Sequence, residues 1–310
     1  MPTSWGRPRP LLVTGAPRSG TTWLAQQLAS APGCALTGRE PMNPNGRQYK
    51  LGGTLDSWVW LSDPTPAQVR ALRRAYRGLA PKVYGRYGHR QWRAAAPGTR
   101  LVVKDPYAVL SIDTVARVTA AVPVLVYRHP AAVLSSYRRM GWQPDVAEVA
   151  AALNGNARAT AAPAANADLV TGMAWFWSNL NELALDAALT VPGAVVVDHA
   201  ELASGGTAAM GTLFRALGLS RAEVPPTASS GGGTSARRPA EAHDEAAGTL
   251  PPDHDVAAGA DDGALHRLDR RPEQVATAWR ATVDEHELEL LSDLAGPTLR
   301  RLESVRLRLS

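Results

Sequence analysis

Short apolar runs alternate with amphipathic segments along most of the chain. Runs of this length are typical of buried strands, and they predict five strands over residues 11–14, 34–37, 101–103, 122–127 and 194–197. Apolar positions at helical spacing predict helices over residues 21–30, 65–79, 113–121, 130–140, 145–160 and 170–189. Strands that alternate with helices favour parallel crossovers. We therefore expect an α/β fold, a three-layer sandwich in which helices cover both faces of a central parallel sheet.

The last third of the chain has a different composition. Residues 220–264 are rich in Ala, Gly, Pro, Ser and Asp and show no sustained apolar period, which predicts a mobile segment. An Arg- and Leu-rich pattern over residues 272–309 predicts helices that close the domain. Because the sequence has no internal repeat and no pattern of a second core, we expect residues 1–310 to form a single domain.

The charge balance narrows the class of ligand. Lys and Arg number 33 against 28 acidic residues, a formal net charge of +5 that suits an anionic ligand. The excess is too small and too scattered to indicate nucleic-acid binding. Only three of the basic residues are lysines, at positions 50, 82 and 104, and this bias is typical of a GC-rich bacterial genome.

The single cysteine bears on the cellular compartment. Cys34 alone excludes an intramolecular disulfide and a multi-cysteine metal site. No segment approaches the ~20 apolar residues of a membrane span, and residues 1–10 contain three prolines and no apolar stretch of a secretory signal. We therefore expect a cytoplasmic protein without a transmembrane segment. No residue pattern indicates an oligomeric state.

The turn between the first strand and the first helix has the residues of an anion-binding loop. Gly15, Gly20, Thr21 and Thr22 lie where the strand turns into the helix, so backbone N–H groups can face a phosphate. A Walker loop has lysine directly after its last glycine. Here Thr21 occupies that position, and Arg18 is the only cation in the loop. The alternative is a glycine turn that only lets the strand and the helix pack closely.

A second candidate phosphate site follows the fourth predicted strand. Arg128 ends this strand, and Ser136 lies eight residues later in the next helix. A guanidinium fork and a hydroxyl at these positions can meet on one phosphate group. Ser135 could take the place of Ser136 if the helix were rotated, and Arg128 by itself could be a surface arginine.

These two segments together resemble the sulfotransferases that use 3′-phosphoadenosine 5′-phosphosulfate (PAPS). The segment RSGTTW, residues 18–23, matches the family's 5′-phosphosulfate loop, and Arg128 with Ser136 matches its 3′-phosphate signature. The resemblance implies a P-loop-like sulfotransferase fold with PAPS as sulfate donor, its desulfated form PAP as product, and no metal. It assigns cofactor binding to Arg18, Ser19, Gly20, Thr21, Thr22, Trp23, Arg128 and Ser136. Trp23 would stack on adenine, although core packing is its alternative role.

Two further segments resemble the tyrosylprotein sulfotransferases. Lys104 begins the sequence KDPY, and Glu40 begins EPMNP in the loop after the second predicted strand. The resemblance implies that Lys104 contacts the leaving bridge oxygen, that Arg18 helps to balance the leaving charge, and that Glu40 is the general base. The alternatives are a strand-end lysine and a solvated loop carboxylate. No histidine fits the position of the base, and His129 and His199 are more typical of structural histidines.

The acceptor is expected to be a hydroxyl group of a small molecule, a glycolipid or a secondary metabolite. Candidate pocket walls are the side chains of Trp58, Trp60, Trp142, Trp175 and Trp177, which could equally belong to the core. The basic residues 237 and 238 are candidates for closing over the cofactor. Two alternative functions stay open: a P-loop kinase with a degenerate Walker loop, and a nucleotide-binding module without catalysis.

Overall fold

Five parallel strands form the centre of the molecule. The computed structural model describes residues 7–85, 93–220 and 277–309. The strands are β1 (Leu11–Thr14), β2 (Cys34–Leu36), β3 (Arg100–Lys104), β4 (Val122–Tyr127) and β5 (Val195–Asp198), in the order β2-β3-β1-β4-β5. Because all neighbouring pairs are parallel, the carboxyl ends of β3, β1 and β4 meet at one edge of the sheet.

Helices connect the strands and follow the last one. They are α1 (Thr21–Ala29), α2 (Lys50–Gly53), α3 (Pro66–Ala75), α4 (Pro81–Tyr84), α5 (Ile112–Thr119), α6 (Pro130–Met140), α7 (Val146–Ala152), α8 (Leu169–Leu189), α9 (His199–Ser204), α10 (Gly206–Ala216) and α11 (Glu285–Val305). Two 3-10 helices cover Pro106–Ser111 and Ala278–Ala281. The connection between β2 and β3 carries α2, α3 and α4.

Alternating side chains of the strands bury themselves in separate clusters on the two faces of the sheet. Leu11 and Val13 of β1 pack with α1, α9 and α10, whereas Leu12 packs with residues of α3 and α4. Leu125 of β4 packs on a third cluster that is built from α6, α8 and α11. This alternation has the period of a strand covered on both faces. The expected three-layer α/β sandwich with a central parallel sheet is confirmed.

The predicted elements are present, but several end earlier than their apolar patterns. The helix predicted over residues 65–79 ends at Ala75, because Gly78 has a φ of 70° and the Leu79 N–H turns back to the carbonyl of Arg74. The helix predicted over residues 145–160 covers only Val146–Ala152. Helices α9 and α10 follow β5 directly and were not predicted. The predicted mobile segment lies, from residue 221 onward, outside the described residues, as do the basic residues 237 and 238.

Residues 15–20 connect β1 to α1 and are called the phosphate loop below, after the ligand that the sequence predicts. The first residue of this loop, Gly15, lies against β4. Gly15 follows β1 with a φ of 154°, and a Cβ atom built on it would lie 2.0 Å from the backbone oxygen of Val126. That oxygen belongs to the sheet and cannot rotate away. Only glycine therefore lets the chain leave β1 at this point.

We expect Gly15→Ala to lower the free energy of unfolding by about 3 kcal/mol or more, because a methyl group must displace sheet backbone. Gly193→Ala is the matched control, since Gly193 has a φ of 83° but open space around its Cβ direction. The control carries only the backbone strain of about 1 to 2 kcal/mol. Urea unfolding of both variants measures the difference, and equal losses would contradict the close approach.

Candidate active site

The loop of residues 15–20 forms a cradle of backbone and hydroxyl groups. The Ser19 N–H donates to the Ala16 carbonyl over 3.1 Å, and Gly20 precedes α1 in a left-handed conformation without a side-chain cap. The first-turn N–H groups of Thr21 and Thr22 thus lack a capping side chain. Ser19 is fully buried, and its Oγ atom has no hydrogen-bond partner in the described part of the chain. An anion in the cradle would meet both kinds of donor.

Two arginines contact the hydroxyl of Ser136, and the charges of both act on a third arginine, Arg128. The Nε of Arg18 donates to Ser136 Oγ over 3.1 Å, and Arg139 Nη2 lies 3.5 Å from the same oxygen. Arg128 is buried at the end of β4. Burial lowers the pKa of Arg128 to about 10, with smaller contributions from the charges of Arg139 and Arg18. Burial also lowers the pKa of Arg18, and Arg139 lowers it further. Because these cations repel one another, an anion between them would be stabilising.

Arg139 is the member of this cluster that sequence reasoning missed. It lies three residues after Ser136, which is one turn along the same helix face. That spacing was the available signal, since a second donor at this distance can share a ligand with Ser136. Ser135, the alternative to Ser136, instead contacts Thr282 Oγ1 at 2.7 Å and faces the C-terminal segment.

The C-terminal segment fixes the rotation of α6. The ring of Trp279 stacks on His129 with centroids 4.7 Å apart and planes 7° apart. In the last turn of α6, both terminal guanidinium nitrogens of Arg138 bind the carboxylate of Glu287. These contacts hold the outer face of α6, so that Ser136 points to the phosphate loop. Ser135 therefore faces the C-terminal segment, and Ser136 faces Arg18.

Lys104 and Glu40 form an ion pair on the other side of the phosphate loop. Lys104 ends β3, and its Nζ donates to Oε1 of Glu40. The side chain of Asn43 donates to Oε2, and the backbone N–H of Glu40 donates to Gln48 Oε1 over 2.8 Å. Glu40 is buried, so the loop carboxylate is not a solvated one. The structure therefore brings together Lys104 and Glu40, both predicted site residues, at the carboxyl end of β3, the strand next to β1.

A buried aspartate fastens the Glu40 loop to β3. Asp105 accepts hydrogen bonds from the backbone N–H groups of Met42 and Tyr107. Burial raises the pKa of Asp105 to about 8, and the charge of Glu40 raises it too, while the two N–H donors and Lys104 act in the opposite direction. The residue that follows the lysine in the sequence thus positions the loop.

His199 also lies against the phosphate loop, which the sequence did not predict. A Cβ on Gly20 would lie 2.1 Å from the Cδ2 atom of His199, and the edge of the imidazole meets the Trp23 ring at a centroid distance of 5.3 Å. Burial lowers the pKa of His199 to about 3, and the charge of Arg128 lowers it further. The imidazole is therefore neutral and packs the loop; Trp23, half-buried beside it, shares this contact.

The five tryptophans considered for the acceptor pocket separate into different environments. Trp177 is fully buried, and its indole N–H donates to the carbonyl of Arg128 over 3.0 Å, so it supports the site from the core. Trp58 is buried and donates to Asp145. Trp60 and Trp175 are half-buried. Trp142 is 38% exposed, and the Arg18 guanidinium lies 5.5 Å from its ring centroid. Trp142 is thus the one of these five that borders the arginine cluster from the surface.

One family model matches more than half of the chain. A model described as "Sulfotransferase family" matches residues 10–222. The sulfotransferase domain of the olefin synthase from Synechococcus PCC 7002 is 17% identical, with a TM-score of 0.46 and coverage of 95% of this chain and 98% of that one. A sulfotransferase domain from the curacin biosynthetic pathway is 14% identical, with a TM-score of 0.49 and coverage of 93% and 98%. A comparison with curated proteins gave no match.

The described ranges contain neither a membrane-spanning helix nor a metal-binding cluster. No described helix is long and apolar enough to cross a membrane. Among the residues that the structure describes, no group of three His, Cys, Asp or Glu side chains could hold a metal ion.

We expect the carboxyl group of Asp105 to titrate near pH 8 in the folded protein, because burial outweighs its two backbone donors. Its folded pKa then lies above the unfolded value of about 3.9, so its contribution to stability is complete below pH 4 and is lost as the pH rises through 8. Carbon-13 NMR of labelled aspartate side chains measures the titration. A midpoint below pH 5 would show that the N–H donors of Met42 and Tyr107 dominate.

Proposed function

Because the chain belongs to the sulfotransferase family, we propose that it transfers a sulfuryl group from PAPS to a hydroxyl group of a small molecule, a glycolipid or a secondary metabolite. The observation that carries this proposal is the charge arrangement at the carboxyl edge of the sheet. Arg18 and Arg139 contact the Ser136 hydroxyl, and their charges act on Arg128 at the end of β4. The Lys104–Glu40 pair lies at the end of β3, the strand on the other side of β1.

The residues present fit a nucleotide with two anionic ends. The 3′-phosphate would be held by Arg128, Arg139 and the hydroxyl of Ser136. The 5′ end would be held by the loop from Ser19 to Thr22, in which the buried Ser19 Oγ has no partner among the described residues. When bound, the phosphosulfate supplies a sulfuryl group on a leaving phosphate. Buried guanidinium groups cost free energy by desolvation, and an anion between them offsets that cost.

Lys104 and Glu40 would have separate roles in the transfer, one in stabilising charge and the other in accepting a proton. The ammonium group of Lys104 would stabilise negative charge on the departing phosphate, with Arg18 as the second cation. Glu40 would accept the proton of the acceptor hydroxyl at a carboxylate oxygen. The hydrogen bonds from Asn43 and Lys104 fix the orientation of this carboxylate before any acceptor arrives. Such fixed orientation is what a general base requires for an efficient proton transfer.

Arg139→Ala and Arg128→Ala are each expected to weaken PAP binding at least tenfold, because each removes a charged hydrogen bond to the 3′-phosphate. Binding of adenosine 5′-phosphosulfate, which lacks that phosphate, should change much less. Isothermal titration calorimetry measures both ligands. Arg215→Ala is the control, since Arg215 is exposed on α10. Unchanged PAP affinity in both variants would remove the cluster from the donor site, and stabilisation of the protein by Mg-ATP but not by PAP would contradict the proposed function.

Glu40→Gln is expected to lower turnover of an alcohol acceptor by about 10² or more while PAP binding persists. Glutamine keeps the size of the side chain but cannot accept the proton. An alcohol must be used, because a phenol with a pKa of ~10 ionises without help. Glu148→Gln serves as the control, since Glu148 is exposed on α7. Full activity of Glu40→Gln would mean that another group is the base.

A further inference from the structure

A basic cavity is lined in part by the loop that carries Glu40. It encloses about 630 Å³ between this loop and α4, and it is open to solvent. Its described lining consists of the basic residues Arg39, Arg47, Lys50 and Lys82 together with one proline and two glycines, and includes no acidic residue. A volume of this size is in the range of small-molecule sites.

The cations of this cavity are unusual for the chain. The whole sequence has three lysines, and two of them, Lys50 and Lys82, line this one cavity. In the part of the chain that the structure describes, neither lysine has an ion pair. The Arg39 guanidinium donates to the backbone oxygen of Arg47, a contact that leaves its charge uncompensated by a carboxylate. Positive charge collected in a concave surface attracts an anion more strongly than the same charge on a convex one.

Lys50 lies in the wall of the cavity on a turn with a strained backbone conformation. The turn α2 consists of residues with positive φ, and two of them, Lys50 at 52° and Leu51 at 48°, are not glycine. Each such residue costs about 1 to 2 kcal/mol. Leu51 is fully buried, and its N–H donates to the Pro41 carbonyl over 2.7 Å, so the core holds the turn in place. Strain maintained in this way is typical of functional positions.

The cavity and the candidate base belong to one rigid loop. Arg39 directly precedes Glu40, and the N–H groups of Gly38 and Arg39 both donate to the Val83 carbonyl of α4. The side chain of Gln48 accepts from the Glu40 N–H, which ties the return of the loop to its start. A ligand bound at Arg39 and Lys82 is therefore bound to the same segment that positions Glu40.

We propose that this cavity binds a phosphate group of the acceptor, so that the acceptor is a hydroxyl compound with a phosphate remote from the hydroxyl that is sulfated. The inference deepens the proposed function and rests on it for the identity of the reaction. The donor nucleotide does not compete for this cavity, since its proposed ligands, Arg128, Ser136 and the phosphate loop, do not line it.

The test uses 6-hydroxyhexyl phosphate as probe, with 1,6-hexanediol and 6-hydroxyhexanoate as its uncharged and carboxylate counterparts. Calorimetry with PAP-saturated protein is expected to detect binding of the phosphate at least tenfold tighter than binding of the diol. The carboxylate should lie between them, because it carries one negative charge and the phosphate nearly two. Equal binding of all three probes would overturn the inference.

Variants then locate the binding. Lys50→Gln with Lys82→Gln should reduce the affinity for 6-hydroxyhexyl phosphate at least tenfold, whereas the control pair Arg215→Gln with Arg300→Gln removes the same charge from exposed helix positions and should not. Lys82→Gln alone avoids the strained turn and should give part of the loss. Phosphate binding that survives all of the lysine variants would overturn the proposal. Failure of PAP to bind would instead count against the proposed function, and titration without PAP still measures the cavity.

Discussion

The parallel register of β3, β1 and β4 is the constraint on which the site depends. It places Val13 of β1 beside Lys104 and Thr14 beside Leu125, so that the loop after β1 leaves the sheet between the ends of two strands. Lys104 ends one neighbour, and Arg128 follows the other. The strands that follow β1 in the chain, β2 and β3, lie on one side of it, and β4 and β5 lie on the other. The carboxyl edge at such a reversal of strand order is where open α/β sheets bind ligands.

The buried guanidinium group of Arg128 is desolvated, so the residues packed around it determine its position and its electrostatic environment. Trp177 donates to the Arg128 carbonyl from the buried helix α8, and His199, neutral through burial, fills the space beside Gly20 without adding a further positive charge. On the other flank, buried Asp105 holds the Glu40 loop by its backbone. Groups behind the site therefore orient the groups that face the ligand, which is the arrangement that electrostatic stabilisation of a transition state requires.

The fold could be predicted from the sequence, and so could the candidate site residues that belong to one segment, since both depend on local patterns. Buried strands have short apolar runs, and the loop residues 18–23 and the spacing of Arg128 and Ser136 are features of single segments. His199 and the basic cavity could not be predicted in the same way, whereas Arg139 had a local signal in its spacing from Ser136 on α6. His199 meets Gly20 only because β5 lies beside β4, and Lys50 and Lys82 share a cavity only because the loop after β2 folds onto α4. Contacts between distant segments follow from topology, which a linear pattern does not contain.

Both of the proposed anion-binding regions contain a cation with a strained backbone conformation. Among the described residues, four that are not glycine have a positive φ, and two of them are Arg18 in the phosphate loop and Lys50 in the wall of the basic cavity. Each is followed by a residue that the core buries completely, Ser19 and Leu51. The left-handed conformation at these two cations sets the direction in which each side chain leaves the backbone. The free energy that this costs is small for each residue, about 1 to 2 kcal/mol, but it is spent at two sites of positive charge. Glu40 lies on the chain between these two cations, in a loop that pairs with Lys104 and also lines the basic cavity.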